Sequence, residues 1–178
     1  NPGGFGAIPT SSFAYWSSSK LLTLPRRFPA YEPAVGEVKV GVQTCDDVRF
    51  VRVWWETEVK PVRWHPHLKG DASSAFYADS ECVLNWAEEG KELKAFVTGV
   101  DNGGHWSRYV RSPDSYFRPG ISWALRTAKF SPSCVPAGCI PSVSRYLALA
   151  HSYSPLAVIG LWNSEVSDWL CKLRMERH

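Results

Sequence analysis

The residues best suited to chemistry cluster in Tyr116 to Ser131, YFRPGISWALRTAKFS, where Arg118, Arg126 and Lys129 stand beside Tyr116, Phe117 and Trp123. Cationic groups interleaved with planar rings suit a polyanion, with phosphates held by charge and bases met by stacking or groove insertion. A second such cluster follows Asn102-Gly103-Gly104 and contains His105, Trp106, Arg108, Tyr109 and Arg111. Covalent chemistry has fewer tools. There is no G-x-S-x-G elbow and no ordered Cys/His signature. His65-Pro66-His67 offers two imidazoles but no third ligand, so a turn is expected there rather than zinc. Asp46-Asp47 on an extended chain would point its carboxylates in different directions, and a capping turn is the better reading. Asp79-Ser80-Glu81-Cys82 lacks the lysine of a nuclease core, and NPGGFG lacks the Walker spacing. Asn1-Pro2 falls short of the Asn-Pro-Pro-aromatic loop that holds a target adenine in amino-methyltransferases. No catalytic residue, metal or cofactor is therefore assigned to these residues.

The elements that must position the basic residues read as a mixed α+β fold, a twisted and mainly antiparallel sheet with a few helices packed on it. At 178 residues, 44% hydrophobic and 21% charged, the chain fits one domain with a working core. The formal charge of +3 permits a polyanionic partner without demanding one. Nine tryptophans point first to an aromatic core and second to a recognition surface. Five cysteines, an odd number without a CxxC pair, fit a reducing compartment. With Asn1 first and no signal peptide or spanning apolar run, the expectation is a cytoplasmic piece of a longer protein, away from the membrane.

Along the chain, residues 1–34 read as a Gly- and Pro-rich lead-in, with a short helix around Ala14 to Leu24 capped by Ser11 or Ser12. Residues 35–153 read as the mixed α+β domain. Val38, Val40 and Val42 alternate with Lys39 and Gly41, and Val48 to Val59 alternates in the same way, so the two runs form a hairpin or a corner about the Asp turn. Ala87 to Phe96 reads as a solvated helix with Asn85 at its mouth, and Thr98 to Ser115 as a long loop. Ile121, Trp123 and Leu125 alternate with Ser122, Ala124 and Arg126, a strand with a basic, small-residue outer face. Residues 154–178 read as a helical tail opened by Ser154-Pro155 and bent at Asn163-Ser164. Ile159, Trp162, Val166, Trp169, Leu170 and Leu173 form its apolar stripe, and Met175 to His178 are expected to fray.

Six blocks in order resemble one family. VGVQTCDDVRFVRVWWE, RWHPHLKG, the pair VLNW and GKELK, YFRPGISW, FSPSCVPAGCI and LAVIGLWNSEVSDWLCKL are similar to successive elements of the target-recognition region of large adenine-specific DNA methyltransferases. These are enzymes of the BREX and type IIG restriction-modification kind. The resemblance spans about Ser11 to Leu173. It departs at Ser133-Cys134, where the family often carries arginine, and at Ser144-Arg145, which replace a Lys-Gly. Asp101 to Arg111 matches no family pattern.

The resemblance implies a non-catalytic fragment that binds double-stranded DNA beside the parent's methyltransferase domain, which would use S-adenosylmethionine. Lys69, Arg118, Arg126 and Lys129 are the expected phosphate contacts. Gln43, Asn85, Arg108 and Arg111 are the expected readers of base edges, since arginine suits guanine and Asn or Gln suits adenine. The alternative is a non-catalytic interaction module or inter-domain scaffold of the same kind of enzyme, with its tryptophans facing protein.

Overall fold

The computed structural model describes residues 27–58, 62–70, 74–100, 102–127 and 129–174, together with Lys20 and Thr23. The short helix expected around Ala14 to Leu24 therefore lies outside the described residues but for two positions, and Met175 to His178 lie outside them altogether. Among the described residues nine strands form two sheets. They are β1 Gly36–Val40, β2 Val51–Val53, β3 Trp64–Leu68, β4 Phe76–Tyr77, β5 Cys82–Asn85, β6 Gly120–Ala124, β7 Ser133–Val135, β8 Ile140–Pro141 and β9 Arg145–Ala150. The helices are α1 Tyr31–Ala34, α2 Asp47–Phe50, α3 Ala87–Val100, α4 Pro155–Trp162 and α5 Glu165–Arg174. One sheet runs β1-β9-β6-β7-β4 and the other β2-β5-β3-β8. Neighbours are antiparallel except β3 with β8 and β4 with β7. This is the expected α+β class, with the strands divided between two sheets.

The Asp turn is a corner rather than a hairpin. β1 pairs with β9 in one sheet, while β2 pairs with β5 in the other. The expected strand from Val48 to Val59 is mostly something else, namely α2, the three residues of β2 and a short helical turn at Trp54–Glu56. Asp46 opens α2 as anticipated, its carboxylate accepting the Arg49 N–H at 3.0 Å. His65-Pro66-His67 is strand, not turn. β8 reaches only His67 and Leu68 of β3, so Pro66, which has no N–H to give, sits beyond the reach of that neighbour.

Three apolar clusters hold the layers together. Phe50, Leu84, Leu93, Val97, Val110 and Ile140 pack α3 and the loop after it onto the smaller sheet, each with no exposed surface. Leu68 meets Val135, Leu147 and Leu149 between the sheets. On the far face of the larger sheet, Ile121 and Ala148 meet Val158 and Ile159 of α4, with Trp123 and Trp162 edge-to-face at 5.4 Å. Burying each such large side chain stabilises the fold by about 1.5–3 kcal/mol.

The basic, small-residue outer face expected of β6 is an inner face. Ser122 and Ala124 are buried, and the fully enclosed guanidinium of Arg145 donates to the Ser122 hydroxyl at 3.2 Å and the Ser133 hydroxyl at 3.1 Å. Side chains this small leave room for a second layer. The tail breaks where expected, with Asn163 and Ser164 between α4 and α5, although Val166 of the predicted stripe is 66% exposed.

α3 begins in an unusual way. Glu88, Glu89 and Gly90 all take positive φ, and the Gly90 N–H closes on the Trp86 carbonyl at 3.2 Å. A Cβ at Gly90 would meet the Trp86 ring at 2.7 Å, so the left-handed conformation and the close ring both require glycine. Near the other end of α3, Gly99 has nothing within 4 Å of a would-be Cβ and needs no special φ. Gly99→Ala is therefore expected to raise stability by about 0.5–1 kcal/mol in denaturant unfolding, through loss of freedom in the unfolded chain.

Candidate nucleic-acid interface

Five segments meet at one end of the molecule through backbone hydrogen bonds. The Ser142 N–H donates to the Leu68 carbonyl at 3.1 Å and the Val42 N–H to Pro141 at 2.9 Å. Gln43 donates to Tyr109 at 2.9 Å and Leu125 to Ser144 at 3.1 Å. These bonds tie the ends of β1, β3, β6 and β8 to the loop containing Arg108 and Arg111. Between them lies a polar cleft of about 290 Å³, lined by Gln43, Thr44, Cys45, Asp47, His67, Lys69 and Ser142 to Ser144.

The cleft is organised around Asp47. Its carboxylate accepts the Thr44 hydroxyl and forms an ion pair with the Lys69 ammonium. Partial burial by itself would raise the carboxyl, but those two hydrogen bonds outweigh it and hold Asp47 below its ordinary range. His67 lies beside this pair and is 1% exposed. Its Nδ1 lies 2.9 Å from the Ile140 carbonyl, which can only accept, so the proton sits on Nδ1 and Nε2 is a bare acceptor. No described residue bonds that Nε2. Burial pushes the imidazole down to about 4, so it is neutral at physiological pH.

The expected contact residues divide between two ends of the fold. Gln43 and Lys69 line the cleft, and Arg126, exposed, follows Leu125 at its rim. Arg108 and Arg111 flank the Tyr109 carbonyl that Gln43 bonds. The Arg111 Nε donates to the Arg108 carbonyl at 2.8 Å, and the residue is exposed. Lys129 is exposed beside Asp168, whose carboxyl is held low first by the Lys172 hydrogen bond. Arg118 sits at the opposite end of β6, paired with Glu37 at 3.4 Å. Asn85 is 6% exposed, with Nδ2 donating to Glu92 and Oδ1 accepting the Ala87 N–H, each at 3.3 Å. Both ends of its amide serve the entry to α3. Among the described residues no group of three or more His, Cys, Asp or Glu could hold a metal.

Sequence reasoning missed the contribution of Thr44, Asp47, His67, Ser142 and Ser144 to one cleft. The signal that could have found it is the pair of short hydroxyl- and amide-bearing runs, Gln43 to Asp47 after the valine alternation of β1 and Ser142 to Ser144 after Ile140-Pro141. It also missed the stacking of Arg52 and Arg63 on the Trp64 ring, at 6.0 and 5.5 Å.

No described protein family matches the chain. Over 95% of its length it is 24% identical to the adenine-specific methyltransferase PglX of Lacticaseibacillus casei (strain Zhang). Over 75% it is 26% identical to the adenine-specific methyltransferase BrxX of Escherichia coli O9:H4 (strain HS). The matched segments cover 15% and 11% of those two proteins, so the chain corresponds to a small part of each. The chain is thus distantly related in sequence to methyltransferases of the BREX kind. No helix among the described residues is long and apolar enough to cross a membrane.

Proposed function

We propose that the chain is a DNA target-recognition region of an N6-adenine DNA methyltransferase serving restriction-modification or phage defence in the cytoplasm. The region itself would be non-catalytic, with S-adenosylmethionine held by the methyltransferase domain of the parent. The observation that carries this reading is a cleft lined by Gln43 and joined by backbone hydrogen bonds to Tyr109, between Arg108 and Arg111 in the chain, and to Leu125, next to the exposed Arg126, in a chain similar to adenine-specific methyltransferases. Arginines at the rim hold phosphates of the duplex, joined by Lys129 from its flank, and position the cleft against the groove. Gln43 presents an amide that matches the N6 and N7 edge of adenine, and Arg108 or Arg111 matches guanine. Lys69 is committed to Asp47 and acts chiefly by shaping the cleft. Asn85 has no part in base readout. The adenine to be modified leaves the stack and enters the catalytic domain, because its N6 is out of reach inside a duplex.

The test is a fluorescence titration of labelled duplex DNA over a range of salt concentrations. Arg126→Ala and Arg111→Ala are each expected to lower the slope of log affinity against log salt by about one. Arg118→Ala, at the opposite end of β6, leaves the slope unchanged. Equal slopes in wild type and all three variants would remove this face from DNA contact.

A further inference from the structure

The tryptophans are unevenly placed. Trp86, Trp106, Trp123 and Trp162 each pack on rings or cations within the fold, whereas Trp54 and Trp55 are 56% and 59% exposed and meet one another at 5.6 Å and 86°. Two adjacent indoles left in water at right angles form the corner of an aromatic cage and expose apolar surface that a partner would cover. Acidic residues adjoin them along the chain and across the strand pair, while the nearby Arg52 guanidinium is held by the Val48 and Val51 carbonyls. Glu56 belongs to the same helical turn, and the backbone N–H of Trp54 donates to the backbone carbonyl of Glu81 at 2.9 Å, which sets Glu81 across the β2–β5 pair from Trp54. Glu81 in turn lines a second cleft, of about 400 Å³, with Tyr77, Asp79 and Lys69. The Tyr77 hydroxyl donates to the Asp79 carboxylate at 2.6 Å, and the Lys69 charge is met by Asp47. The carboxylates of Glu56, Asp79 and Glu81 repel phosphate and attract cations, the opposite of the Arg126 rim.

We propose that Trp54 and Trp55, together with Glu56, Tyr77, Asp79 and Glu81, form a binding site for arginine or lysine side chains of a basic protein segment. An indole face attracts a guanidinium or ammonium through its quadrupole, Arg more often than Lys, and the neighbouring carboxylates supply the counter-charge. The site gives the module a protein-docking surface of opposite charge beside the first cleft, the two clefts sharing Lys69.

Isothermal titration of the chain with synthetic hexa-arginine, with hexa-glutamate as the control, tests this. Wild type is expected to bind hexa-arginine and not hexa-glutamate. Trp54→Ala/Trp55→Ala weakens the arginine peptide about tenfold, since each cation over an indole contributes modestly. Glu56→Gln/Glu81→Gln, which keeps both rings, weakens it about threefold and flattens its salt dependence. Thermal unfolding of both variants should match wild type, because the substituted side chains are exposed. Absence of hexa-arginine binding, or equal affinity in wild type and the tryptophan variant, overturns the proposal. So does a tryptophan variant that loses duplex DNA affinity while keeping the peptide, which would make the indoles a stacking surface for bases.

Discussion

Replacing Gly41 by alanine is expected to destabilise the fold by about 3 kcal/mol, the upper end of what overpacking costs, because backbone blocks every direction of relief. A Cβ there would lie 2.0 Å from the Pro141 carbonyl oxygen, 2.3 Å from its carbon and 2.7 Å from the Ser142 oxygen. Side chains could rotate away, but these are backbone atoms held by hydrogen bonds, the Pro141 oxygen accepting the Val42 N–H at 2.9 Å and the Ser142 oxygen the Arg145 N–H at 3.1 Å. For a domain of this size the loss corresponds to a fall in Tm of roughly 6–12 °C. Thermal unfolding reads it directly, with Gly99→Ala as a glycine substitution that moves stability the other way. An unchanged Tm for Gly41→Ala would mean that the β1 extension does not lie against Pro141. The same substitution is expected to weaken DNA binding, since the strands that frame Gln43 and Ser142 would part.

Stability should also fall steeply as the pH drops from about 6.5 to about 4, and His67 is the principal cause. Its folded value near 4 lies below the ordinary histidine value of 6.5 that the unfolded chain recovers. Between those two values the unfolded state binds a proton that the folded state refuses, so acid favours unfolding. The stabilisation is complete above pH 6.5 and lost progressively below it, by about 3 kcal/mol over the window. His65, depressed by burial as well, contributes with the same sign. Asp47 follows at lower pH, because its carboxyl is held below the unfolded value and its ion pair is lost only when that carboxyl protonates. Chemical denaturation across this pH range measures the slope. His67→Gln, which can still donate to the Ile140 carbonyl but cannot titrate, flattens it whatever the variant's stability at neutral pH. A histidine-independent slope would place the titrating group elsewhere.

Local chemistry made part of this structure legible in the sequence. Asp46 caps α2 through a bond only three residues long, Ser154-Pro155 opens α4, and Asn163-Ser164 breaks the tail, because each depends on its own immediate neighbours. Trp123 is half-buried beneath α4, on the same side of β6 as Ile121, as its alternation with that residue implies. What escaped depended on distant partners. The alternating run from Val48 to Val59 would suit one long strand, yet β5 offers only four residues, and Arg49 is drawn to Glu92 at 2.9 Å on α3. The Ser122 and Ala124 side of β6 looked external because its residues are small, but a second sheet and Arg145 cover it. The site was legible as residue types and not as places. Gln43, Lys69 and Arg126 come together only through the registers of β1, β3, β6 and β8, the same registers that put Arg118 at the far end and turn Asn85 inward.

The central claim, that this region chooses the DNA site for a separate catalytic domain, is tested most directly by exchange. Residues 36–153 would replace the corresponding segment of an active BrxX-like methyltransferase, and sequencing that detects N6-methyladenine would read which sites the chimera modifies. The account predicts that the methylated sequence changes with the exchanged segment. An active chimera that still methylates the recipient's original site would contradict it.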